Sequence, residues 1–327
     1  MPPLAFPLER RNEGESLSIA TIARRLGHYW VGIAICAGYA LVEHNVLSAD
    51  NIFILLRQCS IFGLAALGAY FVAMADGILL STGSQAAFTT VLLLYLSSAY
   101  CFSPWLAAFC AIFASAGLGV FYARVTSATG VPIALFSFGM SYVLDGLNAA
   151  LQRSVFPSEV VKGFASLAYG RLYGVPTPIA AFCLCMILAS LFLQNTTIGK
   201  CAPVVGQDEE EAKRSGLPVD FVRTVAYAIG FALISFAGII LVGRTSRGDY
   251  LIGNNYSLDV VAALCIGRVR LWGGRGSLFG VMIGALSIVL LDSYFDASSA
   301  LPVNQTIIKG AIIVAMLLAE ERLAQEH

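Results

Sequence analysis

The stretch Val204–Leu217, with the sequence VVGQDEEEAKRSGL, is the densest charged run in a chain made mostly of apolar segments. Asp208 is placed to cap a short helix, because its side chain can accept hydrogen bonds from the first free backbone amides. The glutamates that follow lie at the positive end of the helix dipole, and the two basic residues after them lie at its negative end. Gly216 then ends the helix in a left-handed conformation, and Pro218 prevents any continuation. The stretch therefore predicts a short polar helix between two apolar blocks.

This predicted helix has two interpretations. A charged run of this kind is commonly a solvated loop that happens to be helical. Its position between two apolar blocks is also typical of a site at which another protein binds a membrane domain. The sequence of the stretch does not choose between them.

The composition of the chain indicates a membrane protein. The 327 residues are 58% hydrophobic and 12% charged, and the formal net charge is zero. Soluble domains contain about 45–50% apolar and about 25% charged residues. We therefore predict an all-α protein that crosses a membrane many times. A net charge of zero argues against nucleic acid as a partner, because no large basic face can form.

Cysteine and histidine do not form a recognisable metal site or disulfide framework. Most of the eight cysteines lie inside apolar runs, and no Cys-x-x-Cys pair occurs. The three histidines, His28, His44 and His327, are far apart in the sequence. We therefore predict no metal site, and we expect the cysteines to behave as small buried apolar side chains.

Apolar segments recur along the whole chain. A spanning helix needs about 20 mostly apolar residues, and we predict about ten such helices. A glycine-rich break at residues 76–84 follows the second segment, and residues 152–174 form a longer polar connection. The short eighth and ninth segments could instead form a re-entrant hairpin. The predicted segments are residues 28–46, 52–75, 85–100, 105–123, 132–151, 177–194, 224–242, 258–267, 277–291 and 303–319.

Lysine and arginine predict the orientation, because they are enriched in cytoplasmic loops. Arg24 and Arg25 flank the first segment, so the N-terminus, and after ten spans the C-terminus, is predicted to be cytoplasmic. Thirteen basic residues then lie inside: Arg10, Arg11, Arg24, Arg25, Arg124, Lys200, Lys213, Arg214, Arg223, Arg268, Arg270, Arg275 and Arg322. Five lie outside: Arg153, Lys162, Arg171, Arg244 and Arg247. The predicted divisions are a cytoplasmic segment (1–27), membrane helices (28–195), a cytoplasmic coupling loop (196–223), membrane helices (224–319) and a cytoplasmic tail (320–327).

Patterns for catalysis are missing. A phosphate-binding loop of the form Gly-x-x-x-x-Gly-Lys-Ser/Thr does not occur, since Gly199-Lys200 lacks the upstream glycine and the following hydroxyl residue. No Ser/His/Asp set appears either. We therefore predict a protein that is not an enzyme and has no cofactor, and a transporter of this kind would need ATP to be bound by a separate subunit.

The combination of motifs resembles the permease subunits of ATP-binding-cassette sugar importers of the ribose type, in the branched-chain amino acid/ribose permease superfamily. The resemblance covers most of the chain and is strongest from Gly199 to Lys309. Near the front, Gly77–Ser84 is similar to the family's Gly-Ile-Asp-Leu-Ser-Val-Gly-Ser. Later matches are Tyr227, Ala237-Gly238, Leu258-Asp259, Ala262-Ala263, Gly267, Gly273-Gly274-Arg275-Gly276-Ser277, Gly280, Gly284-Ala285 and Ile308-Lys309-Gly310.

The charged stretch is similar to the family's cytoplasmic motif, which couples the permease to its ATPase. The resemblance implies that the ATPase-coupling residues are Gly206, Asp208, Glu209, Glu210, Glu211, Ala212, Lys213 and Gly216. Two departures stand out. Leu79 occupies a position where the family has Asp, and Gly267-Arg268-Val269-Arg270-Leu271 replaces Gly-Gly-Thr-Ser-Leu, which changes the surface offered to the ATPase.

The resemblance implies a type II importer-like permease in the bacterial inner membrane. Its expected partners are ATPase subunits, a periplasmic sugar-binding protein, and a second permease copy or a sister permease. The expected substrate is a monosaccharide, a pentose or a hexose. The alternatives are an importer of nucleosides or branched-chain amino acids, or an ion-coupled secondary carrier, which would show inverted repeats with paired acidic sites.

Polar residues inside the predicted spans are candidates for the translocation path, because ionisable groups in a membrane are costly and often functional. The candidates are Arg57, Gln85, Asp145 and Asn148, and Asp259 and Asp292 also qualify as ionisable groups. Asp145 and Asn148 share one helix face at a spacing of i, i+3. The alternative is that these residues are solvated at span ends or hydrogen-bond neighbouring helices.

Small residues form a stripe near the end of the chain. Gly276, Gly280 and Gly284 repeat every four positions, so one smooth face of a helix is predicted. Such a face lets another backbone approach closely. We interpret this glycine stripe as a helix-packing surface, which could also line the dimer seam or the path.

Overall fold

The computed structural model describes residues 49–152, 160–172, 174–245, 256–270, 273–274, 276–297, 307–311 and 314. The regular secondary structure of this part of the chain is helical apart from one hairpin, in which β1 (Arg171–Leu172) pairs antiparallel with β2 (Val175–Pro176). The helices are α1 (Ala49–Ala75), α2 (Thr82–Ala99), α3 (Pro104–Thr129), α4 (Ile133–Gln152), α5 (Val160–Tyr169), α6 (Thr177–Asn195), α7 (Thr197–Gln207), α8 (Glu209–Arg214), α9 (Val219–Thr245), α10 (Tyr256–Ile266) and α11 (Leu278–Ala297). Residues 307–311 are also helical.

Six helices in the described ranges are long and apolar enough to cross a membrane: α1, α3, α4, α6, α9 and α11. The chain is therefore a multi-pass helical membrane protein. The predicted third and eighth spans correspond to α2 and α10, which are not among the six. The predicted first span, residues 28–46, lies outside the described residues, as does most of the last one, so the number of about ten stays a prediction.

Residues 152–174 were predicted as a polar connection, and the structure shows that this connection contains the helix α5. Phe164 and Ala168, four residues apart, are both fully buried, and Phe164 packs edge-on against Trp105 at 5.6 Å between ring centroids. Apolar residues at this spacing form one face of a helix. The polar residues on either side of α5 conceal this short amphipathic pattern in the sequence.

Helix α9 occupies the centre of the described bundle and packs against α1, α2, α3, α5 and α7. Glycines allow these close approaches. A Cβ atom on Gly68 of α1 would lie 2.4 Å from the carbonyl oxygen of Gly230, and one on Gly119 of α3 would lie 2.6 Å from that of Tyr227. Backbones in direct contact gain dispersion attraction along their whole length, which stabilises helix pairs in a membrane.

The predicted break between the second and third segments is present, as irregular backbone from Asp76 to Ser81 between α1 and α2. Leu79, one of the two departures from the motif that the sequence resembles, is 1% exposed and packs beside Tyr122 and Phe231. The Leu80 amide donates a hydrogen bond of 3.0 Å to the Ser137 hydroxyl of α4. Irregular backbone next to apolar helices is stable when protein covers it, and the packing around Leu79 provides that cover.

Helix α10 has 11 residues, too few to cross a bilayer alone, whereas α11 has 20. From Asp259 to Ile266 every residue of α10 is buried. The two helices pack against each other and against α1. Of the two segments that could have formed a re-entrant hairpin, α11 is therefore long enough to span, and α10 is a short helix enclosed by its neighbours.

Candidate functional site

The charged stretch forms the helix predicted from its sequence, α8, with the predicted termini. The Asp208 carboxylate caps it by accepting a hydrogen bond of 2.9 Å from the Glu211 amide. A cap of this kind is worth about 1 kcal/mol. After the helix, Gly216 has φ of 77°, and the Leu217 amide bonds to the Ala212 carbonyl at 3.1 Å. Local interactions within the stretch are therefore sufficient to define both ends of α8.

Helix α8 has one buried face and one exposed face. Ala212 is 1% exposed and lies in an apolar cluster formed with residues of α7 and α9. Glu210, Glu211, Lys213 and Arg214 point away from the bundle and are exposed. The helix is thus anchored to the membrane domain through Ala212 and presents a charged surface on its other side.

Two ion pairs at i, i+4 spacing connect charged residues along α8. Lys213 lies 2.6 Å from Glu209, and Arg214 lies 3.0 Å from Glu210. The hydrogen bond from Lys213, together with the nearby Arg223, lowers the pKa of Glu209. The hydrogen bond to Glu209 and the negative charge of Glu209 raise the pKa of Lys213. Glu209 is therefore ionised at neutral pH, and its interactions weaken only when the pH falls through this lowered pKa.

Arg223, near the start of α9, joins α8 to the membrane helices. Its side chain is 6% exposed and lies 2.7 Å from the Glu209 carboxylate of α8. It also forms an ion pair of 3.5 Å with Asp76, at the end of α1, and donates a hydrogen bond of 3.1 Å to Ser127 of α3. Asp76 in turn accepts a hydrogen bond from the Tyr227 hydroxyl. We call Glu209, Arg223 and Asp76 the polar relay.

A second connection beside the relay consists of backbone alone. The Gly274 amide donates a hydrogen bond of 3.3 Å to the Met74 carbonyl at the end of α1. A Cβ atom on Gly206 would lie 2.2 Å from the same carbonyl oxygen, and one on Gly273 would lie 2.3 Å from the Gly206 oxygen. The end of α7, the end of α1 and the Gly273-Gly274 pair therefore meet at one point, immediately before α8 begins.

The structure separates the four candidate path residues. Gln85 of α2 is fully buried and donates to the Ser115 hydroxyl of α3, which donates to the Phe231 carbonyl at 2.8 Å. Asn148 of α4 is also fully buried, and its amide donates a hydrogen bond of 3.1 Å to the Ser84 carbonyl. Gln85 is thus part of the first turn of α2, Asn148 contacts that turn from α4, and both form hydrogen bonds between helices.

The other two candidates lie elsewhere. The guanidinium of Arg57, in α1, lies 5.1 Å from the ring centroid of Tyr169 at the end of α5. Asp145 is half-buried on α4, one turn before Asn148. Arg57 therefore does not join Gln85 and Asn148, and a role of any of the four in the path remains a prediction.

The glycine stripe packs inside the chain. A Cβ atom on Gly284 would lie 1.9 Å from the Ala263 oxygen of α10, and one on Gly280 would lie 2.1 Å from the Gly267 oxygen. Gly276 precedes α11 and faces Tyr70 and Val269. The helix that uses the smooth face is thus α10 of the same chain.

A further ionic cluster joins the last helical segment to α10 and α11. The Lys309 ammonium lies 2.8 Å from Asp259 and 2.7 Å from Asp292. Removing one partner from such a buried group would leave a charge without compensation. The sequence marks these residues as ionisable groups within or beside spans, but their spacing does not predict that they meet.

The sequence did not predict the contacts of the polar relay. Tyr227 and Asp76 are 151 residues apart, so no local pattern pairs them. One signal was available: Asp76 and Arg223 are single charges at the edges of long apolar segments, and such charges are commonly paired. The sequence predicted the position of α8 but not its connection to α1.

Comparisons with known proteins agree with this architecture. A family model described as the permease component of the branched-chain amino acid transport system matches residues 51–317. The ribose import permease of Escherichia coli K12 is 28% identical over 304 residues, covering 89% of this chain and 91% of the relative. The ribose import permease of Bacillus subtilis 168 is 26% identical over 316 residues, covering 95% and 97%.

A xylose transport system permease of Haemophilus influenzae Rd is 34% identical over 157 residues, covering 46% of this chain and 42% of the relative. No solved structure matches the chain. The family model spans the helices α2 to α11, most of α1, and the charged stretch between α7 and α9. The chain belongs to the family of permease components typified by the branched-chain amino acid transport system.

Proposed function

We propose that this chain is the membrane-spanning subunit of an ATP-driven importer of a monosaccharide, a pentose or a hexose. Its relatives over most of their length are ribose import permeases, and a xylose permease matches part of the chain. The proposed location is the bacterial inner membrane. The proposed partners are separate ATPase subunits, a periplasmic sugar-binding protein, and a second copy or a sister permease.

The observation that carries this proposal is α8, a capped helix with an anchored face and a charged face. Ala212 holds it against α7 and α9, while Glu210 and Arg214 remain exposed. A soluble ATPase needs a rigid contact on the membrane domain, because a flexible loop would absorb its motion. We propose that the exposed face of α8 is this contact and that residues 196–223 form the cytoplasmic coupling loop.

The test is purification of the tagged chain from its own cells, with measurement of the ATPase that accompanies it. We expect Glu210→Lys to reduce both the co-purified ATPase and the uptake of labelled ribose, because the new charge opposes the helix dipole and alters the exposed face. The control is Arg171→Glu, a charge reversal at the exposed β hairpin, which should retain the ATPase. A wild-type chain that co-purifies with no ATPase would contradict the proposal and favour an ion-coupled carrier.

An importer of branched-chain amino acids or nucleosides is the second candidate, because the matching family model is described by branched-chain amino acid transport. Competition separates the candidates. We expect unlabelled ribose or galactose to inhibit uptake and adenosine and leucine to have no effect. Inhibition by leucine or adenosine alone would replace the sugar with the second candidate.

A further inference from the structure

Arg223 of α9 makes polar side-chain contacts with α8, with the end of α1 and with α3. Its guanidinium is buried and divides its contacts between Glu209, Asp76 and Ser127, at 2.7, 3.5 and 3.1 Å. The contact to Asp76 is an ion pair whose Nε geometry does not complete a hydrogen bond. Arg223 therefore interacts more closely with the charged helix than with the end of α1.

Asp76 directly follows the last residue of α1 and begins the irregular segment that leads to α2. Beyond it, Leu79 is packed in the core and the Leu80 amide bonds to Ser137 of α4. Helix α2 then begins with fully buried Thr82 and continues through Gln85, which bonds to α3. A displacement of Asp76 thus acts directly on the irregular segment, Asp76 to Ser81, that connects the two buried helices α1 and α2.

The buried charge of Arg223 ties the position of Glu209 to that of Asp76. A buried guanidinium that loses a carboxylate partner is left uncompensated, which is strongly unfavourable. When α8 moves, Arg223 must either follow Glu209 or lose it, and in either case its distance to Asp76 changes. Packed interfaces respond to such a change by switching between discrete arrangements.

We propose that Arg223 and Asp76 are positioning residues that transmit movement of α8 to the break between α1 and α2. This inference rests on the proposed function, since it requires an ATPase on α8. Arg223 and Asp76 themselves do not bind the ATPase. They determine whether ATP hydrolysis moves the membrane helices.

The experiment uses the native complex purified with the tagged chain, its ATPase and its binding protein, with ribose as the probe. Variants are Arg223→Gln, Asp76→Asn, the double variant and Arg223→Lys. We expect the first two to retain the co-purified ATPase, while ribose transported per ATP hydrolysed falls by about tenfold, a typical size for a lost coupling. The double variant should be no worse than the more severe single variant, because both changes interrupt one connection.

Arg223→Lys should recover part of the transport ratio, because a lysine keeps the charge but can hold fewer partners at once. The matched control is Arg124→Gln, which removes an exposed arginine from α3 and should leave the ratio unchanged. Asp76→Asn preserves volume and can still accept the Tyr227 hydroxyl, so it provides a second variant if Arg223→Gln does not accumulate.

Three results would contradict the proposed role of Arg223 and Asp76. A transport ratio within about a factor of two of wild type in both single variants would show that no coupling passes through these residues. Multiplying losses in the double variant would show two independent roles. Failure of both single variants to reach the membrane would show a role in folding instead. Loss of the ATPase from the wild-type complex would contradict the proposed function itself, which is a separate outcome.

Discussion

At the scale of single residues, the positions of α8 and its caps follow from local chemistry. Asp208 and Gly216 lie within a few residues of the groups that they satisfy, so their roles can be predicted from spacing alone. Arg268 shows the opposite case. It is exposed and has φ of 54°, a conformation that favours glycine, at a position where the family motif that the sequence resembles has glycine. The sequence shows the substitution, but only the structure shows that it places an arginine in left-handed backbone.

Gly273 and Gly216 provide a matched pair of substitutions, because both have positive φ, 95° and 77°, but in different surroundings. Gly216→Ala should cost about 1–2 kcal/mol, the strain of a left-handed alanine, because nothing lies within contact distance of the new methyl group. Gly273→Ala adds a collision with the Gly206 carbonyl oxygen at 2.3 Å, so we expect a larger loss. The measurement is the apparent melting temperature of the detergent-solubilised chain. Equal losses in the two variants would mean that the backbone junction at Gly206 contributes nothing to stability.

At the scale of helices, the apolar segments were predictable, including the short one that forms α10, whereas α5 was not. The predicted segments at residues 52–75 and 177–194 lie within three residues of α1 and within one of α6 at both ends. Helix α5 was concealed by its polar neighbours. Residues 258–267 were predicted as a short span or as part of a re-entrant hairpin, and α10, with 11 residues, is too short to cross a bilayer alone. The close contacts of the glycine stripe were predictable as a smooth face, but the choice of α10 as partner depends on tertiary packing.

Gly284→Ala and Gly139→Ala test that packing with the smallest possible change. At Gly284 the added methyl group would lie 1.9 Å from the Ala263 oxygen, and overpacking of this kind costs about 1–3 kcal/mol. At Gly139, on α4, nothing lies within 4 Å, and alanine is a better helix former than glycine by about 1 kcal/mol. We therefore expect Gly284→Ala to lower the apparent melting temperature and Gly139→Ala to leave it unchanged or raise it.

The yield and the dimer content of the same two variants, measured by size-exclusion chromatography, provide a second comparison. Gly284→Ala should reduce the yield of folded chain, because the disturbed contact lies within one protomer. A normal melting temperature combined with a loss of dimer would instead place the stripe at the seam between two permeases, against the packing described above.

At the scale of the whole molecule, α1 and α9 run in opposite directions between two polar ends. Asp76 follows the end of α1 and meets Arg223 near the start of α9. At the other end, Arg57 of α1 contacts Tyr169, whose hydroxyl donates a hydrogen bond of 2.9 Å to the Arg244 carbonyl near the end of α9. Charge counting assigned Arg223 and Arg244 to opposite sides of the membrane, and the contacts place them at opposite ends of one helix. The assignment of these ends to cytoplasm and periplasm remains a prediction, because no contact within the chain distinguishes the two compartments.

Thiol labelling in intact cells tests that assignment. Cys101 is exposed just beyond the end of α2, where Leu94 packs in one cluster with Val242 near the end of α9. With the other cysteines replaced by alanine, a membrane-impermeant maleimide should label Cys101 from outside. In a second chain, with Cys101 also replaced and Glu210→Cys introduced on α8, labelling should require opened membranes, because basic residues favour the cytoplasmic side for that end. Labelling of the Glu210 position in intact cells would reverse the orientation, and a helix on the outer side could not receive a cytoplasmic ATPase.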